Sequence, residues 1–137
     1  MFDRFDAATR LPAQDLDRAR AFYAEKLGLT PVEERPGGLL YQCGNTKFAL
    51  FGSSGRPSGE HTQMGWTVDD IEAVVDELRR RGVRFEQVDV PGLRTVGDIA
   101  DVQGNYPSLG TGERAAWFRD SEGNLLGIGQ PVRLPGI

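Results

Sequence analysis

The first helical pattern in the sequence begins at Asp15. An aspartate suits the N-cap position because its carboxylate can accept a hydrogen bond from a free backbone N–H of the first turn. Gly28 supplies a stop signal, since glycine readily adopts the left-handed conformation that ends many helices. Between them, apolar residues recur at helical spacing: Leu16, Ala19, Phe22, Tyr23 and Leu27. The pattern predicts a helix between Asp15 and Gly28.

A second helical pattern follows in the other half of the chain. Asp69 is expected to start it, with Glu72 three residues later in a capping-box arrangement. The apolar stripe consists of Ile71, Val74, Val75 and Leu78. Gly82 is expected to end this helix as Gly28 ends the first.

Strand-length runs of apolar residues, separated by turn residues, surround both helices. They cover 7–13, 29–33, 39–43 and 47–51 in the first half, and 62–68, 83–90, 114–119 and 124–130 in the second. A Gly/Ser-rich linker, 52–59, separates the halves. The stretch 91–112 is predicted to be a loop, ordered as a lid because Leu93, Ile99 and Tyr106 can be buried.

The order of elements repeats: each half reads β-α-β-β-β. The sequence thus predicts an α+β protein with a first module over 6–53 and a second over 60–131, both within a single domain, 1–137. One such half cannot close its own core. We therefore expect the two sheets to face inward, with both helices outside.

Composition excludes several classes of function. The net charge of −4 disfavours a nucleic-acid partner. Cys43 is the only cysteine, which excludes an internal disulfide and a thiolate metal cluster and fits a reducing compartment. No signal peptide and no apolar run of membrane-spanning length is visible. We expect a cytoplasmic protein without a membrane partner.

Three stretches of the chain form a set of motifs: 15–23 with 27–29, the stretch 68–73, and 117–126. Together they resemble the vicinal oxygen chelate superfamily, which includes glyoxalase I, extradiol dioxygenases, fosfomycin-resistance enzymes and bleomycin-binding proteins. In that family proline is commoner than serine at the position of Ser121. The motifs occur in the family's order across nearly the whole chain. The resemblance implies two βαβββ modules that form a cupped, eight-stranded sheet around a pocket.

The resemblance also implies where a divalent metal would be held in most members. The four ligand positions, normally His, Glu or Gln, fall at Ala8, Ala49, Gln63 and Gly127. Three of these side chains have no donor atom, and His61 could add only one ligand beside Gln63. We therefore expect no metal and no other cofactor, and we do not expect a typical metal-dependent glyoxalase or dioxygenase.

Three residues are candidates for binding a ligand. Arg10 shares a strand face with Ala8 and would clamp a carboxylate or phosphate, unless it reaches solvent at the strand end. Gln63 would be a neutral hydrogen-bonding group. Trp117 would stack on a planar ligand, although plain core packing explains it equally well. Small residues at Gly127 and Gly129 would leave room beside them, unless larger neighbours fill the space.

Two further residues have mainly structural explanations. His61, the only histidine, is expected to lie in an exposed loop. Cys43 is expected to be a small buried apolar residue.

Three functions remain open. The favoured one is a metal-free binding protein for a small organic molecule, similar to the bleomycin-binding branch, which implies a homodimer. The second is a metal-independent lyase or isomerase using Gln63, His61 or Arg10. The third is an accessory domain with no ligand.

Overall fold

The computed structural model describes residues 1–133. These residues form an α+β protein with two helices, a four-stranded sheet and a six-stranded sheet. They divide into two compact units. The first contains Met1–Ser58 and Asp120–Asn124, and the second contains Gly59–Arg119 and the stretch from Leu125 onward. Neither of the two helices is long and apolar enough to cross a membrane.

The first unit has the predicted β-α-β-β-β order after a short 3-10 turn, Phe2–Arg4. Its elements are β1 (Thr9–Ala13), α1 (Leu16–Leu27), β2 (Glu33–Arg35), β3 (Gly38–Cys43) and β4 (Thr46–Gly52). The strand order in the sheet is β1-β4-β3-β2, with β1 parallel to β4 and the other pairs antiparallel. Helix α1 contacts β4.

Helix α1 begins and ends as the sequence predicts. The Asp15 carboxylate accepts a hydrogen bond from the Arg18 backbone N–H at 3.0 Å, and Gly28 adopts the left-handed conformation with φ 68°. The core of this unit is aromatic. Tyr41 stacks on Phe48 with ring centroids 5.1 Å apart, and fully buried Tyr23 contacts both rings. This cluster joins the helix to one face of the sheet.

The second unit is larger. Its elements are β5 (Met64–Thr67), α2 (Ile71–Arg80), β6 (Asp89–Val90), β7 (Leu93–Val96), β8 (Ile99–Gln103), β9 (Gly112–Arg119) and β10 (Leu125–Val132). The strand order is β5-β10-β9-β8-β7-β6, with β5 parallel to β10. Helix α2 contacts β9 and β10 through buried Ile71, Val75 and Leu78.

The start of α2 differs from the prediction by one residue. The N-cap is Asp70, whose carboxylate accepts a hydrogen bond from the Ala73 backbone N–H at 3.2 Å; Asp69 lies before it. Only Asp69 has a glutamate three residues later, but both aspartates are suitable N-cap residues, and the backbone geometry selects Asp70. At the other end the helix stops at Arg80, and Gly82 has φ 88°.

The prediction of a loop over 91–112 is wrong for its first half. Strands β7 and β8 form a hairpin there, joined by Gly97 and Asp98, which both have positive φ. This is the conformation that matches a two-residue turn to the twist of its strands. Of the three residues expected to be buried in this stretch, Leu93 and Ile99 are half-buried, whereas Tyr106 is 77% exposed. The predicted strand 83–90 is also shorter, with only β6 and a single bridge from Phe85 to Phe118.

Candidate functional site

One face of the four-stranded sheet carries the predicted residue Arg10. The pairing register places Arg10, Ala49, Leu40 and Glu33 in one row across the four strands. Residues on this row line a cavity of about 200 Å³, together with Phe51 on the same face. The neighbouring row, whose side chains point to the opposite face, includes the buried Leu11, Leu50 and Leu39.

Arg10 itself is exposed and forms no ion pair among the described residues. All three residues of β2, Glu33, Glu34 and Arg35, are charged and line the same cavity. Aliphatic and aromatic side chains fill the middle of this face, since Leu40 and Phe51 are half-buried there. The sheet therefore presents charges at the rim and apolar groups in between.

The six-stranded sheet has a more open face. Gly127 of β10 lies between Gly65 of β5 and Trp117 of β9 in the pairing register. A cavity of about 300 Å³ covers this part of the sheet. Three glycines, two threonines, two tryptophans, an alanine, an isoleucine and one acid line it. The glycines provide a floor without side chains.

Trp117 lies against that floor. A Cβ built on Gly127 would be 3.4 Å from Cδ1 and 3.5 Å from Nε1 of Trp117, and 3.3 Å from Cγ2 of Thr62. The indole is half-buried, and its N–H has no hydrogen-bond partner in residues 1–133. Phe118 points to the other face and is 1% exposed, as strand alternation predicts for adjacent residues. Trp117 thus lines the cavity as a half-buried indole whose N–H has no partner among the described residues.

The acid in this cavity is Glu113, which the sequence did not identify as a candidate site residue. A Cβ built on Gly129 would lie 2.7 Å from Oε1 of Glu113, so the carboxylate lies directly over that glycine. Glu113 and Trp117 are four residues apart on β9 and share a face. The sequence did contain a signal, because alternation from Trp117 through Ala115 leads to Glu113. The space predicted beside Gly127 and Gly129 is therefore partly filled, by one aromatic and one acidic side chain.

Gln63 is engaged with the backbone of β10. Its N–H donates to the Leu125 carbonyl at 2.9 Å, and its side-chain Oε1 accepts from the Leu125 N–H at 3.2 Å. The amide oxygen therefore extends the pairing of β5 with β10. Its role in ligand binding stays a prediction.

A second cavity of the same unit shares Thr62 and Trp117 with the first in its lining. It has a volume of about 370 Å³ and includes His61, Leu93 and the ion pair between Glu86 and Arg119. His61 is exposed and lies outside the strands, as predicted. Cys43, at the end of β3 in the first unit, is half-buried rather than fully buried.

A network of buried polar groups lies in the first unit, around the segment Asp120–Asn124. The Tyr23 hydroxyl donates to the Asp120 carboxylate at 2.7 Å. Asp120 also accepts from the backbone N–H groups of Glu122 and Asn124, at 2.8 and 3.0 Å. The Asn124 side chain donates to the Pro12 carbonyl at 3.0 Å. Burial, followed by the Asp120 charge, raises the pKa of Tyr23. All of these groups have partners, so the network is structural.

Glu122 is fully enclosed in this network. Its carboxylate accepts from the Asp15 backbone N–H at 2.9 Å and from two nitrogens of Arg18, at 2.8 and 3.0 Å. Burial opposes its ionisation. However, the hydrogen bonds from Arg18, Asp15 and Ser121, together with the Arg18 charge, outweigh burial and lower the pKa of Glu122 to about 2. The sequence predicted a turn at this place but not the hydrogen-bond network around Glu122.

The positions where a metal would be expected do not provide a suitable set of donors. Ala8, Ala49 and Gly127 have no side-chain donor, and the Gln63 oxygen already accepts the Leu125 N–H. Within residues 1–133, no three His, Cys, Asp or Glu side chains come together in a group that could hold a metal ion. These residues do not fit the divalent ion of the metal-dependent members.

Comparison with known proteins identifies the family of this chain. No curated protein matches the sequence. A glyoxalase/bleomycin resistance protein/dioxygenase from Alicyclobacillus acidocaldarius has 19% identity and a TM-score of 0.68, covering 93% of this chain and 92% of its own. An antibiotic-binding protein from Streptomyces sp. CB03234 has 22% identity and a TM-score of 0.58, covering 91% and 93%.

A bleomycin-binding protein, solved in complex with bleomycin, has 22% identity and a TM-score of 0.63, covering 93% of this chain and 98% of its own. At these identities the likeness is one of fold. The model of the Glyoxalase/Bleomycin resistance protein/Dioxygenase superfamily matches residues 4–128. The chain therefore belongs to the glyoxalase/bleomycin resistance protein/dioxygenase superfamily.

Proposed function

We propose that this protein binds a small organic molecule without a metal, and that the ligand lies on the open face of the six-stranded sheet. The single observation that carries the proposal is Trp117, a half-buried indole beside glycines, facing a cavity of about 300 Å³. A planar ligand can stack on the indole and accept a hydrogen bond from its N–H. Aromatic and apolar walls with few polar groups are typical of small-molecule sites.

The relatives support the class of ligand. One structural neighbour is an antibiotic-binding protein, and another is a bleomycin-binding protein solved with bleomycin. Both share the fold of this chain. A metal-free binding role is compatible with the missing donors at Ala8, Ala49 and Gly127.

We also propose how the chain is organised into domains, how it assembles, and what Arg10 and Gln63 do. In this proposal the modules 6–53 and 60–131 belong to one domain, 1–137, and the protein is a cytoplasmic homodimer. Gln63 is a secondary contact for this ligand. Arg10 is a separate candidate: at the cavity of the four-stranded sheet, its guanidinium would bind an acidic group with two hydrogen bonds.

The test is a binding measurement with a neutral planar probe, 2-(1-naphthyl)ethanol, by isothermal titration calorimetry. The protein should bind the probe, and Trp117→Ala should weaken binding about tenfold or more, because stacking and apolar area are both lost. Trp117→Phe is the matched control and should retain most of the affinity. Equal affinity of the wild type and Trp117→Ala would contradict the site.

The metal-independent lyase or isomerase is the competing hypothesis. It requires turnover that persists in the presence of a chelator and disappears in Gln63→Ala. Binding without turnover supports the binding protein, and the absence of both supports an accessory domain.

A further inference from the structure

The lining of the cavity on the six-stranded sheet carries a single charge, which is negative. Glu113 is its only ionisable lining residue, and no Lys, Arg or His is among the described residues that line it. The carboxylate forms no ion pair and no hydrogen bond within residues 1–133. Some other acids of the chain do have such partners, as Glu122 has Arg18 and Glu72 has Arg114. An acid without a partner, facing a cavity, attracts a cation.

The position of Glu113 is fixed by the strand beneath it. Its Oε1 lies over Gly129, whereas the Trp117 ring edge lies over Gly127. Two residues along a strand span about 7 Å, and both glycines face the same side. The carboxylate and the indole therefore lie about 7 Å apart along the floor of the cavity. This position of the Glu113 carboxylate requires a glycine at 129, because any side chain there would displace the carboxylate.

We propose that this site selects planar organic cations. The ring of the ligand stacks on Trp117, and a protonated amine or amidine on a short linker pairs with Glu113. This inference rests on the proposed function, to which it adds the charge of the ligand and the residue that selects it.

The experiment compares three probes that share one ring system and differ in charge. They are 2-(1-naphthyl)ethylamine, 2-(1-naphthyl)ethanol and 1-naphthylacetate, titrated calorimetrically at pH 7 and low salt. The amine should bind about tenfold more tightly than the alcohol, and the acetate more weakly than the alcohol. Added salt should reduce the preference for the amine, because it screens partly exposed charges.

Glu113→Gln keeps the shape of the side chain and removes its charge. In this variant the amine should bind about as weakly as the alcohol, an approximately tenfold loss, while affinity for the alcohol stays unchanged. Asp89→Asn is the control for net charge, because Asp89 is exposed in the same sheet and does not line this cavity. It should preserve the preference for the amine.

The outcomes separate the two proposals. If the alcohol and the acetate bind as well as the amine, and Trp117→Ala weakens all three, the charge selection is wrong and the binding site stands. If Glu113→Gln leaves the amine preference intact, Glu113 is not its cause. If none of the three binds to the folded protein, both proposals fail.

Discussion

Two glutamates, one in each unit, have opposite surroundings. Glu122 in the first unit has a completely enclosed side chain with hydrogen bonds from Arg18, Ser121 and the Asp15 N–H. Glu113 in the second unit is half-buried on a cavity, over Gly129, without an ion-pair or hydrogen-bond partner in residues 1–133. The first carboxylate stabilises the fold, and the second is available to a ligand.

The two sheets also differ in how much of the cavity-bearing face is occupied by side chains. In the four-stranded sheet, Leu40 and Phe51 occupy much of the exposed face, and the adjoining cavity is about 200 Å³. In the six-stranded sheet, Gly65, Gly127 and Gly129 leave a cavity of about 300 Å³. Similar strand orders therefore produce one face that is mostly filled and one that retains space.

The largest expected difference is in stability. Glu122→Gln should lower the free energy of unfolding by about 2 kcal/mol, because charge-assisted hydrogen bonds to a buried carboxylate are lost. Glu113→Gln should change it by less than about 0.5 kcal/mol, since no protein contact is broken. Urea denaturation at pH 7 measures both. Similar losses in the two variants would remove the distinction between the acids.

The same contrast predicts a pH dependence. The pKa of Glu122 is lowered from 4.5 to about 2, so between these values the unfolded chain binds more protons at this site than the native protein. Its contribution is complete above about pH 4.5 and is lost as the pH falls toward about 2. The difference in unfolding free energy between the wild type and Glu122→Gln should therefore shrink over this range. Urea titrations at several pH values test this, and a constant difference would contradict it.

A third prediction compares the two open faces. Gly127→Val should weaken binding of 2-(1-naphthyl)ethanol about tenfold, because the new side chain meets Trp117 and Thr62 and fills the floor. Ala49→Val adds bulk to the cavity of the other sheet and should leave this affinity unchanged. Calorimetric titration measures both, and circular dichroism confirms that each variant is folded. A tenfold loss in Ala49→Val would place the ligand elsewhere.

Local signals in the sequence were sufficient for the family, the α+β class and helix α1. The motif resemblance is confirmed by the family match over residues 4–128. The caps of α1 were predictable because Asp15 and Gly28 act through their own backbone neighbourhood. The choice of Asp70 over Asp69 was not, since both are suitable N-cap residues and the capping-box spacing to Glu72 favoured Asp69. The β7–β8 hairpin was missed although Gly97-Asp98 is a known two-residue turn type.

In the candidate site, too, some features follow from the sequence alone and others only from the tertiary structure. Strand alternation alone determined that Trp117 and Phe118 point to opposite faces, because the period of a strand is fixed by its backbone. Only the tertiary structure decided which face has a cavity, that Glu113 lies over Gly129, and that Gln63 turns its oxygen to Leu125. These depend on which strands become neighbours and in which register, and pairing between distant segments is not encoded in any single stretch of the chain.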